Sequence, residues 1–225
     1  MNSDKILFTP GPLTTSLSVK QAMLHDLGSR DFSFINTVSF IRNKLLELGA
    51  VSKALGYESV IVQGFGTFGI ESVITSSVPQ NGQLLIVING VYGERIAKIA
   101  DVHKIPYSTL VFNEDAIPDL QKIEACLKSD STITHLAVIH CETTTGIINP
   151  IDEIGQLCAK YSVAYIVDAM SSFGAVPVNI EKSKIDFLIS SSNKCIEGVP
   201  GFSFVIAKKE KLLACEQNQR TLSLD

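Results

Sequence analysis

Asp168 and Lys194 are the residues around which chemistry in this chain can be arranged. Asp168 closes the apolar run Ala164-Tyr165-Ile166-Val167, and Lys194 ends the polar turn Ser190-Ser191-Ser192-Asn193-Lys194 that closes a second run. A third run, Phe202 to Ala207, follows the turn Gly198-Val199-Pro200-Gly201. If these runs are strands of an open α/β sheet, both residues face the crevice outside the carboxyl ends of the strands, where ligands of such sheets gather. A lysine amine placed there can form a Schiff base with a carbonyl compound. A carboxylate nearby can keep a pyridine nitrogen protonated, the partner that pyridoxal 5'-phosphate needs to act as an electron sink. On these two residues alone, a solvated loop lysine and a helix-capping acid explain the pattern equally well.

Other turns extend the set. Gly64-Phe65-Gly66-Thr67-Phe68-Gly69 follows an apolar run and opens a helical stretch, matching G-x-G-x-x-G. The dinucleotide fingerprint requires an acid about 20 residues further on, at the end of the next strand. Here that run ends Val87-Ile88-Asn89-Gly90, and the first acid is Glu94. Another use survives: N–H groups at a helix N-terminus, with the Thr67 hydroxyl, can hold a phosphate monoester. A glycine turn chosen for packing is the alternative. Tyr92, in Asn89-Gly90-Val91-Tyr92-Gly93, can stack on a flat ring, which contributes about 1 kcal/mol, or be an ordinary half-buried tyrosine. His140-Cys141-Glu142-Thr143-Thr144-Thr145-Gly146 closes a further run. A hydroxyl there can donate to a phenolate oxygen, although a threonine-rich turn needs no ligand, and His140 alone reads as a core histidine. Together these turns place a phosphate cradle, a ring-stacker, a hydroxyl, an acid and a lysine after successive strands. Metal sites and serine-hydrolase triads have no comparable set in this sequence.

The elements that must position these residues follow from the hydrophobic pattern. Apolar, often β-branched runs stand at 58–63, 83–88, 107–112, 135–140, 164–169, 186–191 and 201–206. Segments 67–78, 91–103, 118–128 and 151–161 separate most of them with helical or turn-rich spacing. Continuous apolar runs suit strands buried on both faces, so the expectation is an α/β fold with a mostly parallel seven-stranded sheet flanked by helices. The last two runs are joined by a turn-sized segment, which predicts at least one antiparallel pairing. Upstream, Thr9-Pro10-Gly11-Pro12 marks an irregular arm. Helical spacing is expected over 18–25 with Ser18 as N-cap, and over 34–55, where Gly49 questions its continuity.

The bulk composition narrows the classes. The 225 residues are 45% hydrophobic and 19% charged, enough for one sizeable core. Net charge is −4, and the Lys182/Lys184 and Lys208/Lys209/Lys211 clusters have glutamate neighbours, which argues against a nucleic-acid or anionic-membrane surface. No run approaches the ~20 apolar residues of a membrane span, and Met1 to Pro12 has no signal-peptide h-region. Cysteines 126, 141, 158, 195 and 215 are odd in number and widely spaced, predicting free thiols in a reducing cytoplasm and no zinc site.

The stretches TPGPLTTSLSVKQAML, GFGTFGIES, NGVYGERI, HCETTTGIINPI, VDAMSSFGA and SSSNKCIEGVPGFSFVIA carry a family resemblance. The chain resembles the class V, fold-type I, pyridoxal-phosphate-dependent aminotransferases, and within them the 2-aminoethylphosphonate–pyruvate branch. The resemblance covers essentially the whole chain. It implies that Lys194 carries the cofactor's imine and that Asp168 pairs with the pyridine nitrogen. It further implies that Gly66, Thr67 and Phe68 hold the phosphate, Tyr92 stacks on the ring, Thr143 lies near the ring hydroxyl and Met170 packs on the other ring face. The implied reaction takes a small-molecule amine and a 2-oxo acid, 2-aminoethylphosphonate and pyruvate, to phosphonoacetaldehyde and L-alanine, in a cytoplasmic homodimer. Expected divisions are an arm at 1–16, a cofactor-binding large domain at 17–207, and the start of a small C-terminal domain at 208–225. Relatives of that kind continue well past this point to an arginine that grips the substrate's acidic group; within this chain Arg30 and Arg95 are the nearest candidates. Competing readings are another class V aminotransferase of alanine–glyoxylate or serine–pyruvate type, a silent cofactor-binding or dimerisation module, and a nicotinamide-binding protein.

Overall fold

The computed structural model describes residues 5–225; Met1 to Asp4, the start of the expected arm, lie outside the described residues. Among the described residues, seven strands form one sheet in the order β1-β7-β6-β5-β4-β2-β3. They are β1 (Tyr57–Gln63), β2 (Gln83–Ile88), β3 (Tyr107–Val111), β4 (Ile133–Ile139), β5 (Ala164–Asp168), β6 (Phe187–Ser191) and β7 (Phe202–Lys208). Strands β2 to β6 pair in parallel, and β7 runs antiparallel to both β6 and β1. Because β7 reverses the direction twice, β1 points the same way as β6. The carboxyl ends of every strand but β7 therefore share one edge.

The continuous apolar runs are explained by helices on both faces. Period-2 alternation sends Leu84, Ile86, Ile166, Ile189 and Val205 to one face, where they pack with Ile70, Ile74 and Ile96. Those partners belong to α3 (Gly66–Ser77) and α4 (Val91–Val102). Leu85, Val87, Leu136, Val167 and Phe204 go to the other face, packing with Leu46, Ile123 and Ile154. These lie on α2 (Phe32–Leu48), α5 (Leu120–Ser129) and α6 (Ile151–Lys160). The short α1 (Leu17–Ala22) and α7 (Lys209–Leu213) frame the sheet's sequence. The chain then turns back onto α3, where Arg220 donates to Val78 O at 2.5 Å and Ser72 Oγ to Leu224 O at 2.5 Å.

Two helix expectations are corrected. The first N-cap is Ser16, not Ser18: Ser16 Oγ accepts from Val19 N at 3.4 Å, and the helix spans 17–22 in place of 18–25. The second helix stops at Leu48 instead of reaching residue 55. Ala50 takes a left-handed φ of 55°, and Val51 N returns to Leu46 O at 3.0 Å, which closes the helix in the Schellman manner. A separate 3-10 turn, Lys53–Leu55, follows.

Strands β2 and β4 are neighbours, yet the chain leaves β2 for β3 on one side and β4 for β5 on the other. That reversal makes their carboxyl ends the topological switch point, where a crevice opens. A buried amide pair ties the two ends together. Asn149 Nδ2 donates to Asn89 Oδ1 at 2.9 Å and to Ile139 O at 2.8 Å, and Asn89 Nδ2 donates to Asn149 Oδ1 at 2.8 Å and Ala116 O at 3.0 Å. Asn149→Ala leaves Asn89 Oδ1 and Ile139 O without these donors, so urea unfolding is expected to show a loss of about 3 kcal/mol. A loss below about 1 kcal/mol would remove the pair as a brace of the crevice.

Candidate active site

Asp168 is the last residue of β5 and shares its sheet face with Ile166, toward α3 and α4. It is 2% exposed. Its Oδ1 accepts from Met170 N at 2.9 Å, and its main-chain oxygen accepts from His140 N at 2.8 Å. Removal from water pushes its pKa up to about 7; the Glu142 charge adds to the rise, while the Met170 N–H, Lys194 and Arg95 oppose it. An acid in this setting responds strongly to a cation brought against it.

Lys194 lies in the turn that joins β6 to β7 and is half-buried. The turn is held by Ser192, whose Oγ donates to Val199 O at 2.6 Å and whose carbonyl accepts from Gly198 N at 2.7 Å. The N-terminal arm reaches it: a Cβ built on Gly11 would lie 2.4 Å from Lys194 Cδ. The charge of Lys194 lies close enough to Asp168 to oppose the rise in its pKa.

The loop after β1 opens α3 with Phe65 as N-cap and no capping side chain. The N–H groups of Gly66 and Thr67 precede any intrahelical acceptor and are open donors. The Phe68 N–H is used within the turn, donating to Phe65 O at 2.9 Å, and its ring is 45% exposed. Gly66 lies close under Met170: a Cβ there would stand 2.5 Å from Met170 Sδ, so the methionine side chain would have to shift. Met170 is 9% exposed and packs into the core on the α3 and α4 side. Tyr92 is in the first turn of α4, with the Arg95 guanidinium carbon 4.7 Å from its ring centroid. Thr143 is half-buried in the turn after β4. Strand polarity thus gathers the turns bearing Gly66, Thr67, Phe68, Tyr92, Thr143, Asp168, Met170 and Lys194 along one sheet edge. Arg30 is exposed in the segment between α1 and α2.

His140 is buried with Nδ1 2.8 Å from Ser172 Oγ, and burial lowers its pKa, as suits a core histidine. Serines after β5 bind the neighbouring turns: Ser171 Oγ donates to Cys141 O at 2.6 Å, and Cys195 Sγ donates to Ser171 O at 3.3 Å. Sequence reasoning passed over Glu142, which is fully buried and accepts from Gly93 N at 3.2 Å and Tyr92 N at 3.4 Å. An acid in a threonine-rich turn reads as solvated. The signal that points to it is the glycine at the N-cap of α4, which has no side chain to cap the helix.

Open amides after β1, a buried acid at the end of β5 and the Lys194 amine in the turn after β6 lie along one sheet edge, groups that can meet a phosphate, a cation and a carbonyl. The comparisons with known proteins agree with that chemistry. Residues 36–220 match the family described as aminotransferase class-V. The chain is 50% identical over 221 residues to proteins named 2-aminoethylphosphonate–pyruvate transaminase in Salmonella heidelberg (strain SL476) and Salmonella typhimurium (strain LT2). That alignment covers 98% of this chain and 60% of each relative, so the chain spans 60% of the length of these curated relatives. An alanine–glyoxylate aminotransferase structure from Nostoc sp. superposes with a TM-score of 0.89 at 26% identity, covering 100% of this chain and 60% of that one. A pyridoxamine–pyruvate aminotransferase from Mesorhizobium loti gives 0.88 at 26% identity, covering 97% and 55%.

The raised Asp168 pKa has a consequence for stability. Its folded value of about 7 exceeds the ordinary 3.8. Stability from this group is therefore full at low pH and is lost as pH rises through the folded value, on the order of 4 kcal/mol in all. Asp168→Asn removes that dependence. Urea unfolding of the ligand-free protein at about pH 5 and about pH 8 is expected to show a smaller decline for the variant than for the parent; equal declines would place Asp168 in a more solvated setting.

Proposed function

This chain belongs to the aminotransferase class-V family, and on that premise we propose that it is the cofactor-binding part of a pyridoxal-phosphate-dependent transaminase. The proposed reaction moves the amino group of 2-aminoethylphosphonate to pyruvate, giving phosphonoacetaldehyde and L-alanine. The observation that carries the chemistry is Asp168: a fully buried carboxyl near neutrality, with one N–H donor to its carboxylate and Lys194 close by. The choice of donor and acceptor rests on relatives 50% identical and named for that reaction.

The residues fit the group. The first turn of α3 has no side-chain cap, which suits a phosphate, and the buried acid lacks a cationic partner in direct contact, which suits a protonated pyridine. Bound there, pyridoxal phosphate would supply a carbonyl that condenses with amines and a ring that accepts an electron pair. Gly66 and Thr67 would hold the phosphate with their N–H groups and the Thr67 hydroxyl, with Phe68 beside them in the same turn. Tyr92 and Met170 would pack against the ring, and Thr143 would donate to its oxygen. Asp168, as carboxylate, holds a proton on the ring nitrogen. Lys194 Nζ takes the proton from the amine-bearing carbon of the donor, a transfer that contributes typically about 10² to 10⁴-fold.

Residues 17–207 make up the cofactor-binding domain in this reading, and 208–225 open a second one. A homodimer is supported by apolar side chains left in water near the N-terminus: Phe8 is 95% exposed, Leu24 80% and Phe32 82%. A cytoplasmic setting is supported by five free cysteines; no helix among the described residues is long and apolar enough to cross a membrane. The likeness to alanine–glyoxylate aminotransferase supports a second reading, with alanine as amino donor.

Borohydride treatment of the cofactor-loaded protein is expected to fix the cofactor to the peptide containing Asn193-Lys194-Cys195, and Lys194→Ala to abolish that label. Label on another lysine would remove Lys194 from the role. Alanine formation from pyruvate with 2-aminoethylphosphonate, compared with transfer from alanine to glyoxylate, decides between the two donors.

A further inference from the structure

Glu142 has no part in the chemistry above, yet it is among the most completely buried polar residues of the described chain, at 0% exposed. It follows β4, and its carboxylate crosses the switch point to the helix that follows β2. There Oε1 accepts from Gly93 N at 3.2 Å and Oε2 from Tyr92 N at 3.4 Å. These are first-turn amides of α4, which a helix must satisfy from outside its own ladder. The N-cap residue cannot do so, because it is Gly90. Its φ of 171° is extended backbone open to any residue. Space is what demands glycine, since a Cβ would stand 2.5 Å from Glu142 Cδ and 2.6 Å from Oε2. Gly90 and Glu142 are therefore a fitted pair: the missing side chain of one makes room for the carboxylate of the other. The main chain of Glu142 is fixed as well, its N–H donating to Ile147 O at 3.1 Å and its carbonyl accepting from Gly146 N at 2.7 Å.

We propose that Glu142 is a positioning residue of the cofactor site: it holds the first turn of α4, and with it the Tyr92 ring, against the turn after β4, and it stands as a second buried carboxyl two residues beyond His140, whose N–H binds the Asp168 carbonyl. The proposal rests on the reading of Tyr92 and Asp168 given above. Two functions are separable in one side chain. The hydrogen bonds fix where the ring can stand, and a glutamine oxygen can still accept from Gly93 N. The charge acts on Asp168, whose pKa it raises, while Lys194 and Arg95 lower it. Burial raises the pKa of Glu142 itself, the Gly93 and Tyr92 N–H groups oppose that rise, and the charges of Glu114 and Glu94 add to it.

The test uses the full chain without cofactor, so it does not depend on whether pyridoxal phosphate is the ligand. The sequence has no tryptophan, and Tyr92→Trp supplies a single indole fluorophore at the ring position. In that background Glu142→Ala is expected to raise acrylamide quenching of the indole severalfold and lower its anisotropy, and Glu142→Gln to restore both toward the parent. In the Tyr92 protein, carboxyl carbon NMR of Asp168 is expected to titrate at lower pH in E142Q than in the parent. A purely structural role predicts an unchanged Asp168 midpoint and would overturn the electrostatic half. Unchanged quenching in folded E142A would overturn the positioning half. Should E142A not fold, the two E142Q measurements carry the decision: a loosened indole or an unmoved Asp168 midpoint overturns the proposal.

Discussion

A carboxyl group held out of water at the end of β5 is the constraint on which the site depends. Burying an ionised acid without a partner costs several kcal/mol, and a flexible chain would avoid this by swinging the side chain into solvent. Here the backbone gives no such freedom. The Asp168 carbonyl accepts from His140 N at 2.8 Å, Ala169 N donates to Ile189 O at 2.9 Å, and Met170 N is engaged with the carboxyl itself at 2.9 Å. The acid keeps its place in the interior and takes up a proton near neutrality. A cation of the right shape would relieve that strain in charge, so part of its binding free energy would already be stored in the fold.

Such a position is available because a parallel sheet delivers its strand ends to one edge, and the edge has to be braced. Beyond the last ladder bond of β2 and β4 the backbone turns away on opposite sides, which opens the crevice and also removes the pairing that would stiffen it. Polar side chains replace the ladder. The Asn89 and Asn149 amides satisfy one another reciprocally at 2.8 and 2.9 Å, and Glu142 reaches across to α4. Serines do the same between β4, β5 and the lysine turn, through Ser172 on His140, Ser171 on Cys141, and Cys195 on Ser171. Buried polar networks of this kind are specific because each member left unpaired is costly.

The sheet was legible in the sequence because the inner strands, buried on both faces, write themselves as continuous apolar runs, and the edge strands β1 and β3 still carry enough β-branched residues to be read. Each expected run lies within two or three residues of an observed strand, and the antiparallel pairing of the last two follows from their short connection. Asp168 and Lys194 were legible because strand ends locate them. Helix ends were less so. Ser16 and Ser18 are chemically alike, and their hydroxyls stand 2.9 Å apart, so the sequence could not say which one turns outward to cap. The second helix stops at Leu48 and is closed by Ala50 at a left-handed φ, a conformation that an alanine does not announce in sequence. Glu142 and Asn149 were illegible for a deeper reason. Their partners lie 49 and 60 residues away in sequence, and local pattern identifies them only as polar residues in a turn.

The arginines show how the same fold limits which guanidiniums are left to meet an anion. Arg42 donates to Ser59 O at 2.7 Å and pairs with Glu58 at 3.1 Å, which joins α2 to β1. Arg220 donates to Val78 O at 2.5 Å and Pro79 O at 3.4 Å, which fastens the last residues to the end of α3. Turning either one toward a ligand would strip carbonyl oxygens of their donors, at about 1–3 kcal/mol for each one left buried and unpaired. A bidentate arginine contact with an oxyanion is a strong, orienting interaction, but these two guanidiniums are already committed. Any arginine grip drawn from residues 5–225 therefore falls to Arg30 or Arg95. Of these, Arg95 already rests on the Tyr92 ring, 4.7 Å from its centroid. Arg95 stands on the same first turns of α4 as the amides that Glu142 holds, so the brace that fixes the ring also fixes this guanidinium.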